Sequence, residues 1–303
     1  MKTSLTFGTM QWGGKADAAA SRALFDACLA AGITDFDTAC GYTDGMAETL
    51  LGRFTKGRDD LHIATKVAYF GGAGRANILD QFAGSLTRLG RDRVDLLYIH
   101  RWDPDTALED TFSTLAELQE TGQIGQIGVS NFAAWQVMKA QAVARSFSTR
   151  IDAIQPMYNL VKRQAEVELL PMARDQGIRV VPYSPLGGGL LTGKYAAGGP
   201  VGETGRLTTD DRYAARYAPA VMHQTAADLT AFAADLGTHP ATLAVAWVAA
   251  HMARPSPIIS AHSVAQLAPS LVAATYDMSD AVYAQLTAFS PTPPPATDRL
   301  EEE

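Results

Sequence analysis

Val94-Asp95-Leu96-Leu97-Tyr98-Ile99-His100 is an apolar run closed by an imidazole, and two earlier stretches close in the same manner. Ile33-Thr34-Asp35-Phe36 ends on Asp37, and Leu61-His62-Ile63-Ala64-Thr65 ends on Lys66. Short apolar runs bounded this way read as buried strands. A carboxylate, an ammonium and an imidazole at the ends of three consecutive strands converge on one point only if those strands run parallel. Tyr42, five residues past Asp37 in a glycine-containing loop, adds a phenol to the set.

Outward from these runs, strand and helix patterns alternate along the chain, the signature of parallel β/α units. Strands are predicted at 4–10, 33–37, 61–67, 94–100, 124–130, 151–155, 178–183 and 257–261. Amphipathic helices are predicted at 17–31, 46–56, 76–89, 107–121, 132–145, 164–176, 240–253 and 264–274. In 107–121, Leu108, Phe112, Leu115 and Leu118 recur at the spacing of one helix face. Gly32, Gly90, Gly122 and Gly177 each follow a helical segment, where a left-handed residue commonly ends the helix. Eight such units close naturally into a single-domain (β/α)8 barrel. A doubly wound sheet is the structural rival, but no shift in composition marks a domain boundary. One long insertion, about 185–239, separates the seventh strand from its helix and should contain an extra helix at 221–236. The end, about 291–303, reads as a loosely packed polar tail.

The 303 residues suit such a barrel, which typically needs about 250. A net charge of −7 without any Lys/Arg run excludes a nucleic-acid partner. Cys28 and Cys40 cannot make a disulfide framework or a cysteine-rich metal site, so no metal is expected. The N-terminus has no apolar stretch long enough for a signal peptide, and the longest apolar segment, Leu243 to Ala250, is far short of the roughly 20 residues that span a bilayer. These features point to a cytoplasmic enzyme acting on a small molecule.

Barrel enzymes build their sites at the C-terminal ends of the strands. Seven of the eight predicted strands end there in polar side chains: Asp37, Lys66, His100, Ser130 with Asn131, Gln155, Tyr183 with Ser184, and Ser260. Taken singly, each has an ordinary structural explanation as a cap, a packing residue or a solvated charge. Together they suit proton-coupled carbonyl reduction. Hydride addition to a carbonyl leaves an alkoxide that needs a proton. A phenol with a pKa near 10 is a poor donor at neutral pH unless a cation such as Lys66 favours its ionisation. Asp37 would keep that lysine charged, and His100 would orient the substrate oxygen in either protonation state.

At these residues the chain resembles the aldo-keto reductases over nearly its whole length. Phe36-Asp37-Thr38-Ala39-Cys40-Gly41-Tyr42, with Glu48 and Leu51-Gly52, is similar to the family's Asp-Thr-Ala…Tyr segment. Ala64-Thr65-Lys66 resembles its lysine strand, Asp95 through Asp103 its histidine strand, and Gly128-Val129-Ser130-Asn131-Phe132 is the most specific short motif. Gln155 with Tyr158-Asn159-Leu160, Pro182-Tyr183-Ser184-Pro185-Leu186 and Leu190 through Tyr195 complete the series. The resemblance implies a barrel that binds NADP(H), the family default, in extended form. Ser130, Asn131 and Gln155 would hold the carboxamide, Tyr183 would stack on the nicotinamide, and the Ser184–Lys194 loop would cover the pyrophosphate. Thr9, Met10, Leu186, Gly188, Leu190, Ser260, His262 and Gln266 complete the implied dinucleotide contacts.

The chain departs from the family at two places. Little sequence precedes the first strand, leaving little room for a hairpin across the barrel bottom. At the adenosine end, Ser260-Ala261-His262 stands where many members carry an arginine. No guanidinium fork for a 2′-phosphate falls there; NADP(H) stays the family default, with Lys194 or Arg206 able to help, but relaxed cofactor choice that also admits NAD(H) is expected. For substrate, Trp12, Tyr69, Phe70 and Trp102 are expected to ring the mouth, with Arg101 or Arg75 near and the 71–75 loop moving over it. Other oxidoreductase and hydrolase classes find no support. Tyr158 and Lys162 fit the short-chain dehydrogenase spacing, but no Gly-x-Gly-x-x-Gly occurs, nor any Walker loop, His-Glu-x-x-His or Gly-x-Ser-x-Gly. A non-catalytic nicotinamide-binding regulatory subunit and an alcohol or sugar dehydrogenase working oxidatively remain the alternatives.

Overall fold

In the computed structural model, which describes residues 4–195, 205–297 and 299, eight parallel strands form one sheet. They are β1 Thr6–Gly8, β2 Asp35–Asp37, β3 His62–Val67, β4 Val94–Ile99, β5 Ile124–Ser130, β6 Ala153–Gln155, β7 Arg179–Val180 and β8 Ile258–Ile259. The order β7-β6-β5-β4-β3-β2-β1-β8 places β7 and β8 at the two ends of the sheet. Backbone hydrogen bonds join those ends: Ser256 N donates to Val180 O and Ile258 N to Pro182 O, each at 2.9 Å. The sheet is therefore closed, as the sequence predicts for a (β/α)8 barrel.

β1, β7 and β8 are shorter than their apolar runs, and for the last two proline is the physical reason. Pro182, Pro255 and Pro257 lack the N–H that a ladder requires, so the β7–β8 seam is bonded in one direction only. The seam still closes because the remaining donors lie on β8's approach.

Helices fill the connections: α1 Ala18–Ala30, α2 Met46–Phe54, α3 Arg75–Leu89, α4 Leu108–Glu120, α5 Ala134–Ser146, α6 Leu169–Gln176, α7 Arg206–Thr209, α8 Asp211–Arg216, α9 Ala220–Asp235, α10 Pro240–Ala250, α11 Val264–Val272 and α12 Asp280–Ala288. Their starts follow local chemistry. Asp17 accepts from Ala20 N at 2.8 Å, and Pro240 occupies the first turn of α10, where an N–H has no partner anyway. Gly90 and Gly177 end α3 and α6 at φ of +62°. The predicted 164–176 helix is broken into a 3-10 turn at Gln164–Glu166 and α6. The helix expected in the insertion is α9. α12 is an addition to the expected set. Its signals are the Ser279 hydroxyl, which accepts from Val282 N at 3.3 Å, and the buried Leu286. Residues 291–295 form no regular element, and part of the expected tail, 298 and 300–303, lies outside the described residues.

Two apolar regions result. The larger lies between sheet and helices. A smaller one inside the barrel consists of Ala64, Leu96, Tyr98 and Ala153. Gly128 is required by the inner one: a Cβ there would overlap the Tyr98 ring. Among the described residues no helix is long and apolar enough to cross a membrane.

Candidate active site

The strand ends bring the predicted carboxylate and ammonium into contact. Lys66 Nζ donates to Asp37 Oδ1 and, at 2.8 Å, to the carbonyl of Thr38. Both residues are buried, Lys66 completely and Asp37 to within 2%. The second Asp37 oxygen accepts from Gln155 Nε2 at 2.9 Å, so the carboxylate is satisfied from across the barrel. Above the ammonium, the Tyr42 ring centroid lies 5.1 Å from Nζ; Tyr98 lies on the other strand side at 5.9 Å. The His100 ring meets Tyr42 edge-on at 5.9 Å and Tyr69 at 4.9 Å. Its Nδ1 is buried without a partner among the described residues.

Burial and charge compete at each group. Burial raises the Tyr42 phenol above its ordinary value; the Lys66 ammonium pulls it down but does not overcome the loss of water. Burial alone would strip Lys66 of its proton, but the touching Asp37 carboxylate outweighs it, and the lysine sits above its usual range. His100 is pushed down to about 3, by burial first and then by the charges of Lys66 and Arg101. At neutral pH the site thus holds a protonated phenol, a charged lysine and a neutral imidazole.

The expected carboxamide ligands lie side by side. Ser130 Oγ donates to Gln155 O at 2.9 Å, Asn131 Nδ2 to His100 O at 2.9 Å, and Tyr183 OH to Asn131 Oδ1 at 2.7 Å. Asn131 and Ser184 both hold left-handed backbones, at φ 58° and 59°. For a non-glycine residue this conformation costs about 1–2 kcal/mol, and such outliers cluster at functional sites. The Gln155 amide, by contrast, is committed to Asp37. Thr9 is wholly buried, its hydroxyl donating to the Asp37 carbonyl at 3.2 Å, and Leu190 is buried in the core, so both would offer main chain only. Met10 and Leu186 are half-buried near the strand ends.

Gly187, Gly188 and Gly189 are all left-handed, at φ 56°, 66° and 100°. A Cβ on Gly188 would come within 2.8 Å of Tyr213, and Lys194 Nζ lies 2.9 Å from the place of one on Gly189. The Arg206 and Arg216 guanidinium groups lie against the Tyr213 ring at 5.1 and 5.2 Å. At the end of β8, Ser260 Oγ is buried and unpartnered among the described residues, while His262 and Gln266 are exposed, with His262 N donating to Gln266 Oε1 at 2.9 Å.

The rim differs from expectation. Trp12 is not at the mouth: it is fully buried, edge-on to Phe25 at 6.5 Å and Phe54 at 5.5 Å, because the turn after β1 folds back beneath α1 and α2. Arg75 is turned away, forked onto Glu117 at 2.6 and 2.9 Å. The 71–75 loop is tied down: Asn77 Nδ2 donates to Phe70 O and Gly72 O, and Asp103 accepts from Ala73 N at 2.8 Å. Tyr69 and Arg101 do lie together beside His100, with the guanidinium 5.2 Å from the Tyr69 ring centroid. Trp102 packs edge-on against Phe132 and Trp135. Trp135 is a site-flanking residue that the sequence reading does not single out, since it looks like an ordinary exposed helix residue. A surface groove of about 670 Å³ lies at the opposite end of the barrel, lined by turn residues such as Gly90, Arg91 and Gly122.

A closed parallel barrel whose strand ends gather a carboxylate, an ammonium, a phenol and an imidazole is the arrangement of a barrel oxidoreductase. The comparison with known families agrees: residues 4–291 match the aldo/keto reductase family, and the chain belongs to it. It is 37% identical over 202 residues to aflatoxin B1 aldehyde reductase member 2 of Rattus norvegicus, covering 64% of this chain and 55% of that protein. The match thus spans little more than half of that relative's length. Over 82% of this chain and 80% of the relative it is 32% identical to a probable voltage-gated potassium channel subunit beta of Oryza sativa subsp. japonica. With the oxidoreductase YrpG of Bacillus subtilis it shares 32% identity over 95% of this chain and 92% of that protein.

Proposed function

We propose that the protein is a nicotinamide-dependent carbonyl reductase in which Tyr42 gives the proton. The observation that carries this reading is the buried Lys66 ammonium, held by Asp37 below and facing the Tyr42 ring at 5.1 Å. Lys66 stabilises negative charge on the phenol oxygen as the proton leaves, Asp37 keeps the lysine protonated, and the neutral His100 imidazole hydrogen-bonds the substrate oxygen.

The residues present fit a dinucleotide. Three left-handed glycines bordered by Lys194, Arg206 and Arg216 suit a diphosphate, and the orphaned Ser260 hydroxyl supplies a buried hydrogen-bonding group at the next strand end. Asn131 and Ser130 would hold the carboxamide and Tyr183 the ring. When bound, the dinucleotide supplies the hydride. The exposed His262 stands where a guanidinium would read a 2′-phosphate, and this favours acceptance of both NADPH and NADH. The substrate is a small carbonyl compound. The aldehyde in the rat relative's name supports that class, and Tyr69, Arg101 and Trp102 suit an aldehyde with an aromatic or polar flank.

A regulatory role is the second reading, favoured by the likeness to the rice channel subunit. The complete Asp37–Lys66–Tyr42–His100 set weighs against it, because binding alone has no use for a charge-coupled phenol. The test is oxidation of NADPH and NADH by the purified protein across aldehydes, ketones and aldoses. Turnover of at least one carbonyl is expected. Tight dinucleotide binding without turnover of any would favour the regulatory reading, and a large kinetic preference for NADPH would reject relaxed cofactor choice.

A further inference from the structure

Tyr42 opens a turn with an unusual backbone. Thr43, Asp44 and Gly45 are three consecutive left-handed residues, at φ 48°, 52° and 84°. A β-branched residue avoids this region, so surrounding contacts must impose the turn. Thr43 Oγ1 donates to the Trp12 carbonyl at 2.7 Å and accepts from Ala47 N at 3.1 Å. Arg88, reaching across from α3, lies directly on Gly45: a Cβ there would sit 2.5 Å from the Arg88 Cδ. Arg88 Nε in turn donates to Glu48 Oε2 at 2.7 Å, and Glu48 Oε1 accepts from Thr65 Oγ at 2.5 Å. Glu48 is fully buried, and Thr65 is the residue before Lys66.

One buried carboxylate therefore joins the helix that continues the Tyr42 turn to the strand that carries Lys66. Successive strand residues face opposite sides, so the brace grips the outer face of β3, and its hydrogen bonds reach neither the phenol nor the ammonium. We propose that Glu48 and Arg88 are positioning residues that set the separation of the Tyr42 phenol from Lys66, and through it the proton affinity of the phenol. This rests on the reading of Tyr42 as proton donor. A displacement of about 1 Å at a reacting group costs on the order of 10²-fold in rate, so the brace acts on turnover and leaves dinucleotide binding alone.

The test compares Arg88→Met, Arg88→Lys and Thr65→Val with the parent chain, and with Tyr42→Phe as a control. Arg88→Met should lower kcat by roughly 10- to 100-fold and move the phenol limb of the pH profile upward, with the Kd for NADPH within about twofold of the parent. Arg88→Lys should restore part of both effects. Thr65→Val removes only the hydroxyl and should shift both in the same direction by less; it serves if Arg88→Met does not fold. If kcat per folded molecule and the pH limb stay unchanged while the melting temperature drops, the brace is merely structural and the proposal is overturned. If Tyr42→Phe itself retains turnover, the proton-donor reading fails and the proposal falls with it. If only Tyr42→Phe is inactive, the donor reading stands and the positioning role alone is lost.

Discussion

Replacing Lys66 by methionine isolates the electrostatic heart of the site. The side chain is of similar length, so the main loss is the ammonium. Nζ stands 5.1 Å from the Tyr42 ring centroid. At an effective dielectric of about 20, a unit charge at that distance stabilises a phenolate by about 3 kcal/mol, or about two pH units. Burial already holds the phenol above its ordinary value, so Lys66→Met should carry the phenol limb of the rate profile upward by about two units. In the reducing direction, where the phenol must be protonated, the alkaline fall in kcat moves to higher pH. In the oxidising direction the alkaline rise moves equally. The same substitution leaves Asp37 buried with only the Gln155 amide, and losing one partner of a buried pair costs about 3–5 kcal/mol. Adding Asp37→Leu should recover most of that loss. The assay pairs kcat–pH profiles with urea unfolding of both single variants and the double. An unshifted limb would disconnect Lys66 from the phenol, and strictly additive stability losses would refute the coupling.

Two further outcomes follow from the geometry. His100 binds a proton at about 3 in the folded protein against 6.5 unfolded. Between those values the unfolded chain binds the extra proton, so this residue removes stability as pH falls below 6.5, by at most about 1.4 kcal/mol per unit. His100→Gln should flatten that part of the profile in urea titrations at mildly acid and neutral pH; an unchanged slope would mean the imidazole is not held neutral. Gly128→Ala should destabilise the fold by about 1–3 kcal/mol through overlap with Tyr98, read as a lower melting temperature, and an unchanged melt would show that the inner core has room to spare.

The barrel was legible because its signals are local. Apolar runs of strand length, helix faces such as Phe112, Leu115 and Leu118, and glycines at left-handed helix ends each follow from nearest-neighbour physics. Asp37, Lys66 and His100 were legible because strand ends in a parallel barrel must share one face. What escaped notice depends on contacts distant in sequence. Trp12 sits near a strand end like a rim residue, yet Phe25 and Phe54 draw it into the core, and no pattern within ten residues foretells their approach. Gln155 reads as a cofactor amide, but 118 residues separate it from the carboxylate it holds. Glu48 falls within a motif read from the sequence, but its partner Arg88 lies 40 residues away and on its own helix looks like a solvated charge. α12 was passed over because it buries only Leu286 fully and carries a weak apolar stripe.

The measurement closest to the central claim is turnover of an accepted carbonyl by Tyr42→Phe, with dinucleotide affinity measured alongside. Removing the hydroxyl should lower kcat by roughly 10²–10⁴-fold and leave the Kd for the dinucleotide nearly unchanged. Near-normal turnover in that variant would contradict the account, because the proton would then be coming from another group.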